Sequence, residues 1–303
     1  MLSRTTDRNG SRRILRLSGL VRRPASTGAV SAAGGRSPSA DARVEQRPDQ
    51  DIAALAAPGT DTGRVARGGT ADAATVRRVN VVDEYTGHVE PGGDAARRTL
   101  DALTITKISV GPMDNNAYLL VCRAQNEALL IDAAADPERI SDLIGHGPDR
   151  PALRTVVTTH QHGDHWQALG AVAGANGSNT AAHPEDAEPL PVPPDFLVEH
   201  GDTLTVGDCT LEVIHLRGHT PGSIALLYRD PAGHPHLFTG DSLFPGGPGR
   251  TTKPEDFSSL MDDLESRVFG ELPDDTWFYP GHGDDSTLGA ERPKIPEWRE
   301  RGW

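Results

Sequence analysis

A layered α/β or α+β architecture is predicted for this 303-residue chain by three observations. Short apolar runs bounded by turn residues recur from Leu103 onward, and the first of them follow one another closely enough to form a meander. Helical periods are interspersed later, which favours layers of sheet and helix over an all-β or all-α fold. Residues 1–78 show neither period, so the layered part begins after them.

That first segment is rich in Arg, Ala, Gly, Ser and Thr and poor in aromatics. It cannot bury enough apolar area to offset the entropy of ordering, so residues 1–78 are expected to be a disordered extension. Their basic, acid-poor start resembles an organelle transit peptide in composition, and an unstructured extension or an early start codon explains it more simply. Val79 to Leu100, with Val79, Val81, Val82 and Tyr85, reads as a strap leading into the folded part.

Strand-like runs follow at Leu103–Val110, Ala117–Cys122, Ala128–Ile131, Thr155–Thr158, Leu211–Leu216, Ile224–Tyr228, His236–Thr239 and Thr276–Tyr279. Asp136 is placed to cap a helix that starts with Pro137 and stops at Gly145. A longer helix is expected after Pro254. There Phe257, Leu260, Met261, Leu264 and Val268 recur at spacings of three and four, and Gly270 marks the end. Their shared face should pack on a sheet.

Composition excludes several function classes. No stretch approaches the roughly 18 apolar residues of a membrane-spanning helix, so no membrane role is expected. Two cysteines, Cys122 and Cys209, cannot make a disulfide framework or a four-thiolate zinc site, and a reduced cytoplasmic setting is the default. Residues 1–100 carry a balance of +5 and residues 101–303 a balance of −18, within a total of −13. An acidic folded part without a Lys/Arg cluster argues against nucleic acid as a partner.

The chemistry is concentrated in Thr159-His160-Gln161-His162-Gly163-Asp164-His165, directly after a hydrophobic run. Three imidazoles and a carboxylate lie on a loop at a strand end, where side chains can converge instead of alternating across a sheet. Imidazole nitrogen and carboxylate oxygen suit Zn, Fe or Mn. Three more segments place a potential ligand beside a turn: Gly218-His219-Thr220-Pro221-Gly222, Thr239-Gly240-Asp241-Ser242 and Tyr279-Pro280-Gly281-His282-Gly283.

This combination resembles the metallo-β-lactamase-fold hydrolases, nearest to the short-chain hydroxyacylglutathione hydrolase (glyoxalase II) branch. The resemblance covers Leu103 to His282, and it implies a four-layer αββα sandwich with metals at one edge, making residues 79–303 the hydrolase domain. By the family pattern His160, His162 and His219 would hold one divalent ion and Asp164, His165 and His282 a second, with Asp241 bridging. Asp164 would also orient the nucleophilic water. Asp132, at the end of a strand, matches the family carboxylate that orients a metal-binding His, although a strand-end Asp also caps turns. Arg250 corresponds to an arginine near the substrate in relatives.

Other residues carry less. His183 lies where relatives approach the pocket, yet a Pro-adjacent polar loop explains it equally well. His88, His146, His200, His215, His234 and His236 read as surface or core histidines. Trp166 is expected to anchor the following helix more than to wall the site. Gly246, Gly247 and Gly249 suggest a flexible loop over the site and not a phosphate cradle.

Seven ligands for two ions, most simply Zn, leave room for a bridging water. A hydroxide there needs no Ser or Cys nucleophile. Thioester hydrolysis is the expected reaction, because a thiol of pKa near 8.5 leaves without a strong general acid. A β-lactamase-like hydrolase of another ester or amide is an alternative. A different class is an iron-dependent persulfide dioxygenase, in which relatives hold one iron with the equivalents of His160, His219 and Asp241. Long-form glyoxalase II enzymes add a helical region that grips glutathione. Here neither Lys nor Tyr stands near His183 to Asp186, so a small acyl thioester of another thiol is equally tenable. Trp298 and Trp303 are expected to fold back over the domain or to support a homodimer.

Overall fold

The computed structural model describes residues 78–147 and 150–302. The predicted extension lies outside the described residues, except for its last position, and so does Trp303. Strands β1 (Val81–Val82), β2 (Ala95–Thr99), β3 (Leu103–Val110), β4 (Asn115–Cys122), β5 (Glu127–Ile131), β6 (Ala152–Val157), β7 (Asn179–Ala182) and β8 (Phe196–Leu197) form one sheet in chain order. Helices α1 (Pro137–Ile144) and α2 (Leu169–Asn176) make the crossovers flanking β6. The second sheet takes β9 (Thr203–Val206), β10 (Cys209–His215), β11 (Ile224–Arg229) and β12 (Pro235–Gly240). A small hairpin of β13 (Leu243–Phe244) and β14 (Gly247–Pro248) follows, then α3 (Pro254–Asp263). The second sheet is completed by β15 (Trp277–Pro280) and β16 (Ser286–Thr287), and the chain continues into α4 (Leu288–Glu291) and α5 (Ile295–Arg301).

Three apolar layers hold four layers of structure together. Along β4 the side chains alternate: Ala117 and Leu119 face Ile140, Leu143 and Ile144 of α1 and Leu169 and Val172 of α2. Tyr118, Leu120 and Cys122 point the other way, onto Val206, Leu211, Val213 and Phe238 of the second sheet. Strand β11 repeats this, with Ile224, Leu226 and Tyr228 turned between the sheets and Ala225 and Leu227 turned outward. The outward layer meets Phe257, Leu260, Met261, Leu264 and Val268. An αββα sandwich results because both sheets are apolar on both faces, and only a helix layer can cover each outer face. At about 25 cal/mol per Å² of apolar surface, these layers supply the main stabilising force of the fold.

The sequence-predicted strands are all present, seven of the eight with bounds that differ by one to three residues. The expected strap instead contributes strands: β1 and β2 extend the first sheet, and Tyr85 packs against the layer between the sheets. Strands β7, β8 and β9 were not anticipated. Asn179–Ala182 has little apolar character, and its strand state comes from parallel pairing with β6. The helix at Pro137 has its predicted bounds, but Asp136 does not cap it. Its residue adopts a left-handed φ of 48°, and its carboxylate accepts the N–H of Gly111 at 2.8 Å. The helix after Pro254 ends in a π turn over Leu264–Phe269, with Gly270 at the stop. Pro245 and Gly246 form the β13–β14 hairpin turn and Gly247 opens β14, in place of an open glycine loop. Trp298 folds back, 1% exposed, against Phe269 in the outer layer. No helix among the described residues is long and apolar enough to cross a membrane.

Candidate metal centre

The two sheets present their strand ends at one edge. Strands β5 and β6 are parallel, as are β12 and β15, so the turns after their C-terminal ends open on the same side. Asp132 follows β5, the loop Thr159–His165 follows β6, Asp241 follows β12 and His282 follows β15. His219 stands in the connection from β10 to β11. A turn after a strand frees each side chain from the alternation of the pleat, so ligands distant in sequence can face one point.

They do face one point. His160, His162 and His219 form one group of converging donor atoms, Asp164, His165 and His282 a second, and His160, His165 and Asp241 a third between them. His160 Nε2 lies 3.1 Å from His162 Nδ1, and His165 Nε2 lies 3.2 Å from His282 Nε2. Asp241 Oδ2 is 3.6 Å from His219 Nε2 and 3.5 Å from His282 Nε2, and its Oδ1 is 3.4 Å from His165 Nε2. Asp241 therefore touches both groups, as a bridging carboxylate would.

Two observations show that this donor set fits a metal. His219 Nε2 and Asp241 Oδ1 are buried without a hydrogen-bond partner, a costly state for polar atoms that an ion would relieve. Gly281 gives the cluster its space: a Cβ there would stand 2.2 Å from Asp241 Oδ1 and 2.6 Å from His165 Cε1. Gly249 is needed for a similar reason, since its Cβ would fall on the carbonyl of Asp241.

The clustered side chains are aimed by partners behind them. Asp132 Oδ2 lies 2.9 Å from His165 Nδ1, and its two oxygens also accept the N–H and hydroxyl of Thr159 at 2.8 Å. Asp132 thus fixes the ring of His165 from behind, the contact expected of an orienting carboxylate. His219 Nδ1 donates to the carbonyl of Arg250 at 2.7 Å and His282 Nδ1 to that of Met113 at 2.9 Å, leaving each Nε2 free to bind a metal. Asn115 Nδ2 donates to Asp164 Oδ2 at 2.9 Å. Asp186, 1% exposed, accepts the N–H of Gln161, the hydroxyl of Thr220 and the N–H of Gly222, tying the His160 loop to the His219 turn.

The electrostatics follow from burial and proximity. Burial holds His160 and His219 below the usual imidazole range. Burial also pushes His165 down, but its bonds with Asp132 and Asp241 outweigh that and raise it to about 10. For Asp241 burial acts upward, and the imidazoles of His165 and His282 more than reverse it, holding the carboxylate well below its usual range. In Asp164 burial is likewise outweighed, chiefly by the Asn115 hydrogen bond. Anionic carboxylates among imidazoles are the state in which this set accepts cations.

Arg250 is exposed, and the contact it makes to the cluster is its backbone carbonyl on His219. Trp166 is half-buried, its indole N–H on the carbonyl of Gln161 and its ring against the layer under α2, as expected of an anchor. The orienting carbonyls of Met113 and Arg250 escaped sequence reasoning because any residue type can supply a carbonyl. Asn115 and Asp186 had a weak signal, polar residues at a strand start and after a His-Pro turn.

The metallo-beta-lactamase superfamily model matches residues 110–282, from the end of β3 to His282. The chain belongs to this superfamily. A hydroxyacylglutathione hydrolase GloC of Haemophilus influenzae is 30% identical over 213 residues, covering 64% of this chain and 97% of that one. A hydroxyacylglutathione hydrolase of a Polaromonas strain is 33% identical over 169 residues, 55% of this chain and 62% of its own length. Against solved structures, this superfamily member is similar to ETHE1 from Myxococcus xanthus, with 31% identity and a TM-score of 0.54 over 63% of this chain and 83% of that one.

Proposed function

We propose that the protein is a dinuclear metal-dependent thioester hydrolase of the hydroxyacylglutathione hydrolase kind. The observation that carries this reading is the convergence of seven side chains into two ligand groups that share Asp241. The likeness to GloC over nearly that enzyme's whole length supports it.

His160, His162 and His219 would hold one ion and Asp164, His165 and His282 the other, with Asp241 between. Zn suits the imidazole and carboxylate donors, as do Fe and Mn. When bound, the ions would supply a water acidified toward hydroxide and would polarise a carbonyl. Asp164, held by Asn115, would orient that water. Asp132 keeps the His165 ring in place throughout, so that no reorganisation accompanies the chemistry. The leaving thiolate needs no proton donor from the chain. Exposed Arg250 would meet an anionic group of the substrate. A small-molecule thioester in a reduced cytoplasmic setting matches the two free cysteines, and nucleic acid does not match the acidic charge balance.

The test is thiol release from lactoyl-glutathione by metal-loaded protein beside a His162→Ala control. Turnover that depends on His162 is expected. No turnover with two ions confirmed in place would move the assignment to another thiol carrier or another ester or amide.

A second reading, a mononuclear iron persulfide dioxygenase, draws on the ETHE1 likeness and on the 3.6 Å approach of His219 to Asp241 beside His160. One iron per chain and oxygen uptake with a persulfide would select it.

A further inference from the structure

A second set of metal-ligating side chains lies outside the centre just described. His183 follows β7, Glu185 stands in the turn Pro184–Asp186 after it, and His215 ends β10. One donor atom from each lies within 4.8 Å of the others. The two imidazoles stack with centroids 4.0 Å apart.

The hydrogen bonds around the set leave lone pairs available. His215 Nε2 faces the carbonyl of Pro221 at 2.7 Å and must donate its proton there, so its Nδ1 carries the free lone pair. A ring N–H fixed on a backbone carbonyl is the usual support of a metal-binding histidine. His183 makes only a long 3.3 Å contact, with Nδ1 accepting the N–H of Glu185, which an ion could replace. The Glu185 side chain is 58% exposed, which gives an ion a route from solvent.

We propose that His183, Glu185 and His215 form an accessory divalent-cation site, taking Zn(II) or a similar ion such as Co(II), with water completing the coordination. The ion would draw the two rings and the carboxylate together by small side-chain rotations. Asp186 belongs to the same turn and holds the backbone of Gln161 and Gly222 beside the ligands His160, His162 and His219. Occupancy of the accessory site therefore stiffens the scaffold of the catalytic cluster without touching it.

The experiment is equilibrium dialysis and calorimetric titration of the full chain with Zn(II), and with Co(II) for its absorption spectrum. Wild type is compared with Glu185→Gln, His215→Gln and His162→Ala. The first His in the chain is His88 and the first Cys is Cys122, so residues 1–77 offer neither kind of donor. Wild type should bind three ions, the third more weakly than the others. Glu185→Gln should weaken that third equivalent at least tenfold and His215→Gln should remove it, while His162→Ala keeps it. Melting in chelator checks that each variant is folded, and Glu185→Gln, an exposed isosteric change, keeps the test valid if His215→Gln does not fold. A wild type holding two ions with variants holding one would keep the accessory site and overturn the dinuclear reading. Equal ion counts and affinities in wild type, Glu185→Gln and His215→Gln would overturn the accessory site and leave the dinuclear reading standing.

Discussion

Lys107 Nζ lies 2.7 Å from Asp285 Oδ1, with neither side chain exposed to solvent. The same ammonium donates to the carbonyls of Gly87 at 2.8 Å and Gly283 at 2.7 Å, and Asp285 Oδ2 accepts the hydroxyl of Tyr85 at 2.6 Å. Asn116 and Tyr118 of β4 add bonds to the carbonyl of Pro280. Segments more than 160 residues apart thus meet directly behind His282, and the turn that carries this residue is held from its buried side.

Lys107→Met strips the buried carboxylate of its partner, so the loss should be large. Removing one member of a buried pair costs about 3–5 kcal/mol, whereas replacing both with apolar residues costs far less. Chemical denaturation of Lys107→Met and of Lys107→Met/Asp285→Leu should show the double variant regaining much of what the single one loses. Equal losses in both would show that the pair contributes packing and not charge neutralisation.

Asp132→Ala removes the acceptor that fixes His165 and leaves Thr159 without its two bonds. Orienting partners of this kind are worth about 10–100-fold in metal affinity. Competition with a chromophoric chelator should register a drop in that range with the fold retained by circular dichroism. An unchanged affinity would separate Asp132 from the metal centre.

Gly281→Ala drives a methyl group into Asp241 and His165. Metal content should fall while the apolar layers stay intact, because the clash is confined to the strand-end cluster. Gly283→Ala is the control: a Cβ there has open space, and only its φ of +66° carries a cost of about 1–2 kcal/mol. Full metal loading of Gly281→Ala would refute the steric account.

His236 sets a pH dependence away from the metals. Burial, then His234 and Arg98, lowers it to about 3, and its Nδ1 receives the Tyr279 hydroxyl at 2.6 Å. The unfolded chain, with an ordinary His pKa near 6.5, binds this proton before the folded one does. Its contribution is therefore complete above about pH 6.5 and is lost as pH falls toward 3, by up to about 1.4 kcal/mol per pH unit. His236→Gln should flatten the stability profile in that window, measured by urea unfolding with the metals removed.

Much of this molecule is legible in one dimension. The alternation in Leu103–Val110 and Ile224–Tyr228, the helical face from Phe257 to Val268, and the ligand motifs from His160 to His282 are local patterns, and each arises from a period or a spacing that the chain carries by itself. Asp136 shows the limit of such patterns. Its place before Pro137 marks a cap, but its carboxylate serves Gly111, brought close by the β3–β4 turn.

The sequence by itself determined the eight strand runs and two helices with a clear period, the layered class and the residue types of the candidate metal cluster, because propensity, periodicity and ligand chemistry act over a few neighbouring residues. Tertiary structure alone decided that Val81 and Ala95–Thr99 join a sheet, that Lys107 and Asp285 close behind His282, and that His183 meets His215. It also chose the carbonyls of Met113 and Arg250 to aim the imidazoles. The two carbonyl contacts use backbone groups common to every amino acid, and only the tertiary fold brings them within hydrogen-bonding distance of the imidazoles.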